Sequence, residues 1–143
     1  MRSITTAWFY AIIYILKDAT MNIAIPLADK KGLESSISTV FARCPFYMLI
    51  NPETKIFTIE ENPAQNASGG AGIKASQWMI DKKVAAVICG NLGPKAHDVL
   101  SAAKMPTFKF QGGSIEETLT AYNEKKLESF FESNVDAHAG IQK

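Results

Sequence analysis

Asn62-Pro63-Ala64-Gln65-Asn66-Ala67-Ser68-Gly69-Gly70-Ala71-Gly72-Ile73-Lys74-Ala75 passes from a polar loop, through three glycines, into an apolar pattern of helical period. Ser68 is placed to cap the coming helix, while Gly69 and Gly70 permit positive φ and close backbone approach. The first amides of a helix have no carbonyl partners within it and carry the positive end of its dipole. A negatively charged group is favoured there.

Downstream, Ala71, Ala75, Met79 and Ile80 fall on one helical face, and Lys82 and Lys83 suit the end of that helix. Residues 84–89 are short and apolar throughout and stop at Gly90, the pattern of a buried strand. Gly93-Pro94 opens a second helix with proline at its first position, and Ala96, Val99, Leu100 and Ala103 form its inward stripe. A short strand follows over 107–110. Ser114 and Glu117 then make a capping box for a third helix, with Ile115, Leu119 and Tyr122 inward. Leu127, Phe130 and Phe131 supply one more docking turn, and 133–143 read as a loose tail.

Upstream, Met21, Ile23, Ile25 and Leu27 alternate with Asn22, Ala24 and Pro26, a period-2 strand that Pro26 brings to an end. Residues 28–40 read as a long loop. The apolar runs 46–50 and 56–59 flank Asn51-Pro52-Glu53-Thr54, a type I turn signature, and so predict a β-hairpin. The order is β, β, β, α, β, α, β, α, one domain over 21–132 built on a single mixed sheet. Residues 1–20 hold an apolar run, 8–16, too short to span a bilayer and without a good cleavage site. They read as an extension, with Met21 as the customary start.

Composition excludes several classes. The chain has 143 residues, 47% hydrophobic and 20% charged, the balance of a folded domain. A net charge of +1 with no Lys/Arg run gives no footprint for nucleic acid. Two cysteines make no disulfide framework and suit a reducing cytoplasm. A cytoplasmic protein without a membrane partner, monomeric or weakly dimeric, is the expectation.

With strand two antiparallel and the other four parallel, one edge of the sheet collects Asp29, Arg43, Cys44, Ser68, Gly69, Gly70, Cys89, Asn91, Gly93 and Gly112-Gly113. The carboxyl edge of such sheets is the usual ligand site, and three helix starts would point at it. Gly70-Ala71-Gly72-Ile73-Lys74-Ala75 matches a dinucleotide fingerprint, but it does not directly follow a strand. The next strand also ends in Cys89-Gly90-Asn91, where a ribose-binding acid is required. A Walker A ending is absent. His97 reads as exposed, and His138 sits in the tail. In Arg43-Cys44-Pro45, proline holds the cysteine extended and arginine would favour its thiolate, the metal-binding form. No Cys/His pair has zinc spacing, and the acids are scattered.

Ile23-Ala24-Ile25-Pro26, Ser38-Thr39-Val40-Phe41-Ala42-Arg43 followed by Pro45-Phe46-Tyr47, Glu61-Asn62-Pro63-Ala64-Gln65, Ser68-Gly69-Gly70-Ala71-Gly72-Ile73 and Gly90-Asn91-Leu92-Gly93-Pro94-Lys95-Ala96 resemble the dinitrogenase iron–molybdenum cofactor-binding family over about residues 21–125. The resemblance implies a ribonuclease H-like, three-layer α/β/α fold with a five-stranded mixed sheet. It implies non-catalytic binding, storage or delivery of an iron–molybdenum or other metal–sulfur cluster, with a cofactor-assembly or recipient metalloprotein as partner. Where nitrogenase-associated members carry His-Phe-Gly, this chain has Val40-Phe41-Ala42. The histidine ligand is thus absent, and Cys44 and Cys89 become the candidate metal ligands. The rival readings are a metal-dependent nuclease, which needs clustered carboxylates, and a small anion- or nucleotide-binding module.

Overall fold

The computed structural model describes residues 7, 8, 10 and 21–131. Most of the expected extension over 1–20, and the tail over 133–143, therefore lie outside the described residues. Five strands, β1 (Ile23–Leu27), β2 (Phe46–Ile50), β3 (Phe57–Glu61), β4 (Ala86–Cys89) and β5 (Thr107–Lys109), form one sheet in the order β3-β2-β1-β4-β5. β2 runs antiparallel to both β1 and β3, and β4 is parallel to β1 and β5. The helices that flank the sheet among the described residues are α1 (Ala71–Asp81), α2 (Pro94–Ala102) and α3 (Ile115–Asn123).

The period of 2 along each strand divides the core in two. Ala24, Tyr47, Leu49, Val87 and Cys89 face α1 and α2. Ile23, Ile25, Leu27, Met48, Ile50, Ala86 and Ile88 face α3. This is the expected α/β/α arrangement with strand two antiparallel. The three parallel strands β1, β4 and β5 deliver their carboxyl ends to one edge, where β3 also ends and β2 begins.

Local chemistry accounts for most element boundaries. Ser114 Oγ accepts from the Glu117 N–H at 3.1 Å, and Glu117 Oε1 accepts from the Ser114 N–H at 2.8 Å, closing the predicted capping box. Pro94 stands at the first turn of α2. The helices stop on lysines: Lys83, Lys104 and Lys125 take φ of 56°, 58° and 59°. After α2, Lys104 N–H donates to Ser101 O and Met105 N–H to Leu100 O, both at 2.9 Å. That pair of bonds is a Schellman motif, with buried Met105 and Leu100 as its apolar contact.

Three expectations are corrected. Ser68 does not cap α1: the N-cap is Gly70, left-handed at φ 68°, and no side chain caps that helix. The hairpin turn is wider than type I, because Lys55 N–H returns to Asn51 O at 2.8 Å and Lys55 takes φ 64°. Ala103 is the exposed C-cap of α2 rather than part of its inward stripe. Beyond α3 an extended bridge at Ser129 leads into a turn at Phe130 and Phe131, both packed against the core. Lys109 N–H donates to Glu128 O at 2.8 Å and Phe130 N–H to Thr107 O at 2.9 Å, which covers the outer edge of β5.

Candidate functional site

Two long connections build the site, and one buried amide ties them together. Asn62 Nδ2 donates to Ala42 O at 2.7 Å and Cys44 O at 2.8 Å, while its Oδ1 accepts from Ala64 N–H at 2.8 Å. Arg43 spans the same gap at the surface: its Nη1 donates to Gln65 O and Ala67 O, each at 3.1 Å. The glycine loop is thus fixed to the segment before β2 from inside and outside. A third connection joins through Asn91, whose N–H donates to Thr39 O at 2.7 Å, with Val40 bridging alongside. Gly90 is required there, since a Cβ would meet Thr39 O at 3.0 Å.

These contacts bring the start of α1 beside the start of α2. A Cβ built on Gly72 would lie 3.5 Å from the Ala96 Cβ and N, so the two first turns nearly touch. Between them opens a shallow groove of about 330 Å³, floored by Ala42, Ala71, Gly72 and Ala96. Gly70, Gly93 and Pro94 border it, and Arg43 and Lys95 supply its charge. The first helical bonds are Lys74 N–H to Gly70 O at 3.0 Å and His97 N–H to Gly93 O at 2.9 Å. The amides of Ala71, Gly72, Ile73, Lys95 and Ala96 precede them and have no carbonyl partner within their helices. Two positive dipole ends, a guanidinium and an ammonium therefore share a mostly apolar concavity. A larger cavity, about 530 Å³, lies elsewhere, at the far end of α3 between Phe108, Tyr122 and Leu127.

The expected site residues separate into three groups. Arg43, Gly70 and Gly93 line the groove; Ser68, Gly69 and the Asn91 side chain are exposed on its shoulders. Cys44 and Cys89 are buried free thiols, 2% and 0% exposed, in the same core cluster as Ala71 and Ala96. The expectation that Arg43 favours the Cys44 thiolate is corrected. Burial pushes Cys44 up to about 11, offset in part by hydrogen bonding, chiefly with Tyr47. Its Sγ donates towards the carbonyls of Phe46 at 3.2 Å and Phe41 at 3.5 Å. Tyr47 Oη also donates to Phe41 O. Burial, then the charge of Cys44, pushes Cys89 up to about 12. Among the described residues no three His, Cys, Asp or Glu side chains cluster as a metal site.

The third helix start is also corrected. α3 packs on the opposite face, and its N-terminus is filled by its own Glu117 carboxylate. Gly112 and Gly113 border a separate hollow beside it, and Asp29 caps its own loop by accepting from Ser36 N–H at 2.9 Å. Sequence reasoning missed Gly72 and Lys95. Both were signalled, one as a small residue in a first turn and the other as the residue after an N1 proline.

Residues 21–125 match the model of the family described as dinitrogenase iron-molybdenum cofactor. The chain belongs to that family. A relative from Methanocaldococcus jannaschii, the uncharacterised protein MJ0580, is 34% identical over 119 residues, 81% of this chain and 97% of the relative. The Thermotoga protein TM1290, described as a NifB candidate of the DUF35 family, is 32% identical in solved structure. It covers 76% of this chain and 92% of its own, with a TM-score of 0.64. The apo form of the orange protein from Desulfovibrio gigas shares the fold, at a TM-score of 0.70 and 21% identity over 77% of this chain and 92% of that one. For a member of the dinitrogenase iron-molybdenum cofactor family, a cofactor-binding or carrier role is the supported function. Among the described residues no helix is long and apolar enough to cross a membrane.

Proposed function

We propose that this family member binds and delivers a preformed anionic metal–sulfur cluster, iron–molybdenum or a related one, in the groove between α1 and α2. The observation that carries the reading is the convergence of two helix starts with Arg43 and Lys95 on one apolar concavity. Amide N–H groups and cations hold an anion through its outer atoms, and the apolar floor accepts soft, weakly hydrated sulfide. Two cations beside two helix starts suit the holding of an anion, which is what carriage needs. The partners that follow are the protein that assembles the cluster and the metalloprotein that receives it.

In this reading Cys44 and Cys89 support the floor of the groove and do not ligate the cargo, because both are core thiols held neutral by burial. The cargo therefore arrives with its own ligands complete. The test is anaerobic incubation with preformed thiometallate anions, tetrathiomolybdate and its iron adduct, followed by gel filtration, metal analysis and visible absorption. Metal should elute with the parent protein and equally with a Cys44→Ala/Cys89→Ala variant, and less with Lys95→Gln. A colourless, metal-free protein would overturn the proposal, and loss of metal in the double variant would restore the thiols as ligands.

A further inference from the structure

The two edges of the sheet are finished differently. Along β5 the segment after α3 lies as an extended cover, with Lys109 N–H donating to Glu128 O at 2.8 Å and Phe130 N–H to Thr107 O at 2.9 Å. β3 is the other outermost strand, and among the described residues it pairs with β2 alone. Its register against β2 runs unbroken from Phe57 opposite Ile50 to Glu61 opposite Phe46, and it holds neither proline nor lysine. A bulge, a proline or a lysine is what commonly blunts such an edge.

The backbone groups that face outward follow from the alternation of an antiparallel ladder. At the ends of β3, Asn51 N–H donates to Ile56 O and Asn62 N–H to Pro45 O, both at 3.0 Å, so the even-numbered residues bond to β2. Phe57, Ile59 and Glu61 therefore turn their N–H and C=O groups away from the sheet. The side chains of Phe57 and Ile59 pack on the α3 face, while Thr58, opposite Leu49, stands exposed on the other. Ile56, where the edge begins, is 68% exposed. Charge is uneven along the strand: Lys55 precedes it, and Glu60 and Glu61 close it.

We propose that β3 pairs antiparallel with β3 of a second copy of this chain, about a two-fold axis through Thr58, joining two sheets into one. Such an axis sets Phe57 of each copy opposite Ile59 of the other, an aromatic side chain beside a β-branched one, in pairs that exchange both N–H···O bonds. It sets the basic start of each strand against the acidic end of the other, and places Glu60 of the second copy beside Ile56. Thr58 then meets its own copy in the closer, non-bonded type of pair. An axis through Ile59 would instead oppose Phe57 to Glu61, and one through Glu60 would oppose two carboxylates, which is destabilising. A single strand pair buries less surface than a permanent dimer, so the association is reversible and grows with concentration. The contact is isologous, and with β5 covered it closes at the dimer.

Sedimentation equilibrium between about 10 μM and 1 mM should show a monomer–dimer equilibrium. A monomer at every concentration would overturn the proposal and leave the edge to a strand of another protein. Thr58→Lys sets like charges directly opposite at the axis and should weaken the dimer at least about fivefold, and Thr58→Glu should do the same. Mixing the two variants should restore association to at least the strength of the parent, which also shows that both are folded. Dimers that persist undiminished in each variant, or a mixture that stays monomeric, would overturn the axis through Thr58. Amide hydrogen exchange at Phe57 and Ile59 should slow as concentration rises. Exchange there that is independent of concentration would overturn the strand pairing even where a dimer forms.

Discussion

Gly69 and Gly70 are neighbours in the loop that opens α1, and the same substitution should move stability in opposite directions. Gly70 is the N-cap at φ 68°, with nothing within 4 Å of where a Cβ would stand, so Gly70→Ala meets no steric neighbour. Its cost is the left-handed backbone itself, about 1–2 kcal/mol, less about 0.4–1 kcal/mol for the reduced freedom of the unfolded chain. The net loss is centred on about 0.8 kcal/mol, within a span of about 0–1.6 kcal/mol. Gly69 has equally open space but lies outside the left-handed region, so Gly69→Ala keeps only the unfolded-state gain, about 0.4–1 kcal/mol. Gly72→Ala makes an ordinary 3.5 Å contact with Ala96 and gains helix propensity, so it should be neutral or stabilising. Urea unfolding at neutral pH with linear extrapolation separates the variants, and about 1 kcal/mol moves the Tm of such a domain by about 3–6 °C. A Gly70→Ala protein as stable as Gly69→Ala would refute the left-handed N-cap, and with it the path that aims the α1 amides into the groove.

Lys104→Gly, at the left-handed position after α2, should stabilise by about 0.5–1 kcal/mol in the same assay, with Lys83→Gly and Lys125→Gly behaving alike. Asn62→Ala should cost about 2–3 kcal/mol, because it strands the Ala42 and Cys44 carbonyls and the Ala64 amide. The thiols carry a pH dependence of definite sign. Their usual value is 9.0, and folding raises Cys44 to about 11 and Cys89 to about 12. The folded state therefore holds protons that the unfolded state releases, so this stabilisation is full below pH 9.0 and is lost as pH rises towards 12. Native protein at pH 8 should react with iodoacetamide only through unfolding; prompt labelling of either cysteine would contradict the burial.

The strands, the helices and their order along the chain were legible because each strand states its own period and each helix its own start. The alternation around Ile23 and Ile25, the capping box of Ser114 and Glu117, and Pro94 after Gly93 are local signals that no distant contact overrides here. The site was legible as an edge but not in detail. Ser68 looks like an N-cap in sequence, yet Asn62 and Arg43 hold the loop so that the helix starts two residues past Gly69. Cys44 stands next to Arg43 in the chain, but the guanidinium turns to the glycine loop while the thiol turns to Phe41 and Phe46. Which way neighbouring side chains point in a loop is decided by contacts with distant residues, and no local spacing encodes it. The same applies to α3, whose start is occupied by its own glutamate on the opposite face.

The most direct test of the account is an anaerobic titration of tetrathiomolybdate into the Cys44→Ala/Cys89→Ala protein, followed through its amide resonances. Binding within about twofold of the parent, with shifts centred on Gly70, Gly72, Lys95 and Ala96 and an affinity about three- to tenfold weaker after adding Lys95→Gln, is the predicted result. Loss of binding with the thiols, or shifts that leave those four amides unmoved, would contradict a cargo held in the groove by amides and cations.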